Sequence, residues 1–287
     1  MSDFRIVTDS GSDLNQAMID KLNIDLVPLM VNFKGTTQPD NVDDGISAFY
    51  DGLRAGEIAT TSAINPTGWE KKIEPILAAG QDVLVIAFSS GLSTTYQSAV
   101  IAAEELTEKY PERTIRVVDS LCASLGQGLL VWYACKKRDE GLSLEELTAW
   151  VEENKLHICH WVTVDDLSHL KRGGRISATS AIVGTMLNIK PIIHVNDEGK
   201  LINVAKVRGR KTAIKYLADK LGQLGGGYDN ETCFIVHGDC EDDAKLLADM
   251  IKEKYGVQHV HIGYLGPVIG AHTGPGVLVL FFMGQHR

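Results

Sequence analysis

Short aliphatic runs alternate with longer amphipathic ones through the first half of the chain, the pattern of βα units laid on a parallel sheet. Apolar runs at residues 4–8, 26–33, 83–88 and 115–118 predict strands. Residues 15–22, 68–79, 94–109, 124–138 and 143–154 predict helices, the last two with the best amphipathic period. Strands in this half lead into turn-prone, hydroxyl-rich stretches: Thr8-Asp9-Ser10-Gly11-Ser12, Ser89-Ser90-Gly91-Leu92-Ser93-Thr94-Thr95 and Asp119-Ser120. These are strand carboxyl ends, where open α/β sheets bind ligands because helix N-termini and free loop amides converge there.

After residue 154 the pattern changes to strands joined by hairpins. Strands are predicted at 158–164, 189–195 and 201–207, the last two separated by the turn Asn196-Asp197-Glu198-Gly199-Lys200. Helices at 210–222 and 242–255 alternate with strands at 233–237, 259–264 and 277–282. The fold class is α/β, with a parallel-sheet domain over residues 1–155 and a mixed-sheet α/β domain over residues 156–287. No Pro- or Ser-rich linker marks the boundary, and there is no internal repeat.

Composition agrees with a folded chain: of 287 residues 44% are hydrophobic and 23% charged, while aromatics are only 7% and glycines number 28. The five cysteines, 122, 135, 159, 233 and 240, form no C-x-x-C pair and no disulfide framework, which fits a reducing cytoplasm. With no basic, apolar leader and no run of 18 apolar residues, neither secretion nor a membrane span is expected. A net charge of −9 disfavours nucleic acid and anionic membranes as partners. That average hides a basic segment. Residues 171–215 hold ten Lys and Arg against Asp197 and Glu198, a net +8, which leaves 18 basic and 35 acidic residues, −17, elsewhere. Such a segment is either a solvated surface or a dock for an acidic partner, and Arg172 and Arg175, in a turn-rich stretch between a strand and a helix, are its candidate exposed docking residues.

Nucleotide chemistry is not encoded in a standard way, since both G-x-x-x-x-G-K-[ST] and a strand-linked G-x-G-x-x-G are missing. His157 with His160, and His259 with His261, sit in predicted strands without a third ligand at metal-site spacing, so no metal site is expected. Ser168-His169-Leu170-Lys171 matches S-x-x-K without its companion motifs. Gly91-Leu92-Ser93-Thr94-Thr95 follows a strand and opens a helix, as a nucleophile elbow does, but Thr95 stands where the elbow needs a second glycine. Ser93 is therefore either the nucleophile of a serine hydrolase working with His272 or a passive hydroxyl holding an anion at a helix N-terminus. Thr60-Thr61-Ser62-Ala63-Ile64-Asn65-Pro66 reads equally as a helix-capping stretch. The glycine-rich run 263–276 presents His272 among small residues in what reads as a bending loop.

Taken in order, these segments resemble the DegV family of bacterial fatty-acid-binding proteins. Ile6-Val7-Thr8-Asp9-Ser10 is similar to the family's opening, Thr61-Ser62 with Asn65-Pro66 to its first ligand loop, and Ser90-Gly91-Leu92-Ser93-Thr94-Thr95-Tyr96-Gln97-Ser98-Ala99 to its second. Leu167-Ser168-His169-Leu170-Lys171-Arg172-Gly173-Gly174-Arg175-Ile176 and residues 266–276 resemble the segments that identify its second domain. The chain departs at Ala63-Ile64, where many relatives have Gln-Pro, and at Thr94, where many have Gly.

The resemblance implies a Rossmann-like first domain and a long-chain fatty acid such as palmitate enclosed between it and the second. Thr61 and Ser93 would hold the carboxylate, flanked by Ser62 and Thr94, while His272 would complete the polar end, either gaining charge beside the carboxylate or orienting Thr61. The acyl tail needs only a dry aliphatic tunnel, at ~0.8 kcal/mol per buried methylene. The family role implied is a non-enzymatic, cofactor-free one: the acyl-carrying subunit that presents its ligand to a separate ATP-binding kinase for acyl phosphate formation.

Overall fold

The computed structural model describes residues 4–177 and 188–287. In chain order the first half contains β1 (Phe4–Asp9), α1 (Gln16–Leu22), β2 (Asp25–Val27), β3 (Met30–Phe33), β4 (Thr36–Pro39), α2 (Ile46–Arg54), β5 (Ala59–Ser62), α3 (Pro66–Ala78), β6 (Asp82–Ala87), α4 (Thr95–Lys109), β7 (Ile115–Asp119), α5 (Leu125–Asp139) and α6 (Leu144–Asn154). The second half contains β8 (Ile158–Thr163), α7 (Ser168–Arg172), β9 (Ile189–Val195), β10 (Leu201–Arg208), α8 (Arg210–Leu224), β11 (Thr232–His237), α9 (Glu241–Tyr255), β12 (His259–Tyr264), α10 (Pro267–Thr273) and β13 (Leu278–Met283). No helix among the described residues is long and apolar enough to cross a membrane.

The expected α/β architecture is present. Strands β2-β1-β6-β7 form a parallel sheet, and β10-β9-β8-β13-β11-β12 form a mixed one in which only β11 and β12 run parallel. The run 26–33, however, is not one strand. Pro28, which has no N–H to give to a ladder, interrupts it. β2 joins the parallel sheet beside β1, and β3 leaves to form an antiparallel sheet of order β4-β3-β5, which the apolar pattern had not suggested. The stretch Thr60-Thr61-Ser62 is accordingly a strand end, not a cap. Asn65 caps α3 by accepting from the Gly68 amide at 2.9 Å, with Pro66 at the first helical position.

Helix α5 also differs from expectation. It is buried along nearly its whole length rather than amphipathic, because it touches β6 of the first sheet and β8, β11 and β13 of the second. Leu125, Leu129, Leu130, Val131, Ala134 and Cys135 fill one continuous core between the two sheets. The glycine-rich run before β13 contains a helix too, the seven-residue α10.

What fixes α10 is a set of buried carboxylates. Asp13 accepts from Ser124 Oγ and, at 3.0 Å, from the Gly266 amide. Asp40 accepts from Ser10 Oγ and from the Val268 amide, both at 2.9 Å. The Tyr50 hydroxyl donates to the Leu265 carbonyl at 2.7 Å. The start of α10 is thus tied to three points of the first half of the chain. Asp9, in the same buried group, accepts from the Phe88 amide at 2.7 Å and from the Gly11 amide at 2.9 Å. The stretch 8–12, one of the strand carboxyl ends, is therefore an internal brace. Burial raises all three carboxyls, Asp9 to about 7, Asp40 to about 6 and Asp13 well above its ordinary value, while the donated hydrogen bonds hold them down.

A carboxyl that binds its proton more firmly in the folded chain stabilises the fold most at low pH and loses that contribution as pH rises through its folded pKa. For Asp40 the window runs from about 4 to about 6. Asp40→Asn removes this titration, so the loss of stability between pH 4 and pH 7 is expected to shrink by on the order of 1–3 kcal/mol relative to the wild type. Urea unfolding of both proteins across that range measures it; parallel pH profiles would show that Asp40 does not titrate there.

Candidate functional site

A cavity of about 480 Å³ lies between the mixed sheet and the loops that follow the parallel strands. Leu29, Phe88 and Leu92 line it from the first half, and Val162, Ile193, Val279 and Phe281 from the second, with Val268 and Ile269 of α10 above them. Most of its wall is apolar. Thr61, Ser62, Ser93, Thr94, Gln97, Arg175 and His272 supply its polar rim, where Ser62, Thr94 and Gln97 are exposed and the others half-buried.

Each rim residue is placed by its own element. β5 pairs antiparallel with β3, Thr61 opposite Val31. Helix α10 brings His272 onto it, with Nε2 at 2.8 Å from Thr61 Oγ1. Burial, reinforced by the charge of Arg175, pushes the His272 pKa down to about 4, so the imidazole is neutral at physiological pH rather than charged. Its Nδ1 is buried without a hydrogen-bond partner. A bare lone pair there costs less than a stranded N–H, which favours the tautomer with the proton on Nε2. In that tautomer His272 donates to Thr61 Oγ1, and the Thr61 hydroxyl proton is left to donate elsewhere. The imidazole fits only because residue 173 is glycine: a Cβ there would overlap His272 Nδ1.

Ser93 lies in the turn between β6 and α4. The Leu92 and Ser93 amides both donate to the Ser89 carbonyl at 3.1 Å, and the Ser90 amide to Asp119 Oδ1 at 3.1 Å. Ser93 Oγ accepts from the Thr95 amide at 3.2 Å and lies 2.8 Å from Thr95 Oγ1, at the start of a 15-residue helix. The positive end of that helix faces the cavity rim. No histidine nitrogen is among the partners of Ser93 in the described residues, since His272 Nε2 faces Thr61 instead. The pairing that a Ser93–His272 hydrolase needs is not formed.

The two candidate docking arginines separate. Arg172 ends α7 on the exposed surface, with Nη2 at 2.8 Å from His169 Nδ1. Arg175 is half-buried in the cavity wall and donates to the Leu92 carbonyl at 3.2 Å and to the Gly173 carbonyl at 2.7 Å. The stretch they share is partly helical, as α7, and residues 178–187, which follow it, lie outside the described residues. Asp165 and Asp166 engage Lys190 and the Ser168 amide rather than either arginine.

Sequence reasoning missed that Arg175 belongs to the cavity, and missed Ser124 and His160 in its wall. His160 is a buried side chain, and among the described residues no three His, Cys, Asp or Glu side chains cluster in a way that could hold a metal. All five cysteines are free.

The profile of a family described as "Uncharacterised protein, DegV family" matches residues 3–285. A DegV domain-containing protein of Clostridium perfringens is 47% identical over 100% of the chain and 99% of its own length. Among solved structures, a DegV-family protein from Thermus thermophilus described by its fatty acid binding is 31% identical, with a TM-score of 0.88 over 98% of this chain and 99% of that one. A DegV lipid-binding protein from Thermotoga maritima is 30% identical, with a TM-score of 0.86 over the full length of both chains.

Proposed function

The chain belongs to the DegV family, and we propose that it binds one long-chain fatty acid, holds the carboxylate with Thr61 and Ser93, and presents it to a separate ATP-binding kinase for acyl phosphate formation. The observation that carries the reading is the lining of the cavity: a mostly apolar chamber against the mixed sheet, with Thr61, Ser62, Ser93, Thr94, Arg175 and His272 among its polar side chains. A fatty acid has the same division, and the lipid- and fatty-acid-binding relatives support it. Hydroxyl donors hold a carboxylate without the desolvation cost of a buried cation, and the α4 N-terminus and the half-buried Arg175 add favourable field. Ser62 and Thr94 extend the same rim. His272 acts by orienting Thr61.

A carboxylate left at an exposed rim is accessible to a second protein, and the chain carries no standard nucleotide loop of its own. Arg172, exposed beside that rim within the basic segment, is the docking residue of this proposal, with Arg175 behind it reaching the head group.

Thr61→Val and Ser93→Ala each remove one donor to a charged acceptor, so each is expected to weaken fatty acid affinity by about tenfold to a hundredfold, the equivalent of roughly 1.5–3 kcal/mol, with the fold intact. Calorimetric titration of delipidated protein, paired with circular dichroism, measures this; unchanged affinity in both variants would remove the head-group assignment. Arg172→Glu is expected to leave lipid affinity unchanged while slowing kinase-dependent acyl phosphate formation in a salt-sensitive way, because rim charges act on encounter rate. Unaltered rates at low salt would take Arg172 out of the docking surface.

A further inference from the structure

Along the mixed sheet the lining of the cavity stops at an aromatic pair. β8 and β13 run antiparallel across it with Val162 opposite Val279 and His160 opposite Phe281. From Val277, where the chain arrives from α10, to Phe281 is four residues, about 13 Å of strand at 3.3 Å per residue. Helix α10, which carries His272, comes before Val277 in the chain, and His160 sits opposite Phe281 at the other end of this stretch of β13. Along β8 the lining goes no further than His160, and along β13 no further than Phe281.

His160 is built as a fixed wall. It is 1% exposed, its Nδ1 lies 2.9 Å from the Ile158 carbonyl, and its Nε2 accepts from the Ala123 amide at 3.2 Å. That pattern sets a single neutral tautomer, with the proton on Nδ1. Phe281 meets the ring at 5.3 Å in an edge arrangement, which blocks rotation from one side. From the other side α5 closes in: a Cβ at Gly126 would overlap His160 Nε2, so the backbone of the helix lies directly behind the ring. With both nitrogens satisfied, the imidazole has no polar atom to offer a ligand.

Resting on the lipid-binding reading, we propose that His160 is the stop against which the methyl end of the acyl chain abuts, and so the residue that sets the longest tail the protein accommodates. Val195 shares the task. It lines the cavity on β9, one step beyond the Trp161–His194 register pair and hence beside His160. Replacing His160 opens space that α5, packed between two sheets, cannot collapse to fill.

The test is a titration of delipidated full-length protein with straight-chain saturated fatty acids from laurate to behenate. In the wild type, affinity is expected to rise about fourfold per methylene, the effect of burying one CH₂, up to a limiting length and then to stop rising. His160→Ala moves that limit to longer chains. Val195→Ala, a milder enlargement of the same end, does likewise and decides the question if the alanine variant does not fold. Ile269→Ala, on α10, weakens all lengths alike without moving the limit. If the wild type binds and the limit stays in place in the far-end variants, or if wild-type affinity climbs unbroken through behenate, the stop is elsewhere while the lipid-binding reading stands. If the wild type binds no member of the series, both fall.

Discussion

Three carboxylates inside the protein hold the loops on which everything else is mounted. Asp13 and Asp40 receive the Gly266 and Val268 amides and so fix the start of α10 against the first half of the chain. Asp9 receives the Phe88 amide at the end of β6, where the turn bearing Ser93 begins. Buried carboxyls are costly, and each is tolerated here only because two or more donors converge on it. The result is that β5, α10 and the β6–α4 turn, far apart in sequence, present Thr61, His272 and Ser93 to one cavity. Position, more than reactivity, is what the network provides.

The chemistry at the rim follows from the same restraint. His272 is kept neutral by burial and by Arg175, which suits it to orient a hydroxyl rather than to carry charge. Ser93 is hydrogen-bonded to the first residue of α4 and not to a base, which suits it to hold an anion rather than to attack a carbonyl. The rest of the lining is mostly aliphatic or aromatic, with Ser90, Ser124, His160 and Thr273 as its remaining polar side chains.

Much of this was legible in the sequence, and the failures have physical causes. The parallel strands announced themselves as apolar runs ending in hydroxyl-rich turns, and the second, mixed sheet as hairpin-spaced strands. The run 26–33 misled because apolar continuity says nothing about which sheet a residue joins, and Pro28 splits it between two. Helix α10 was hidden because four glycines and two prolines lie within residues 266–276, though Pro267 is well placed at a first helical position. Thr61, Ser93 and His272, which the structure brings into one cavity lining, were singled out through ordered motifs shared with a family. Arg175 was misplaced because an arginine beside glycines reads as surface, and its partner, the Leu92 carbonyl, is 83 residues away. The cavity wall was illegible: Val162, Ile193, Val279 and Phe281 alternate as any strand core does, and only the three-dimensional arrangement shows that they face a space.

The most direct test of the lipid-binding reading is native mass spectrometry of the freshly purified protein before and after delipidation. A single adduct of long-chain fatty acid mass per chain, lost on delipidation and restored by adding the free acid, is the expected result. A spectrum holding only the bare chain in every preparation, with no adduct formed on adding fatty acid, would contradict it.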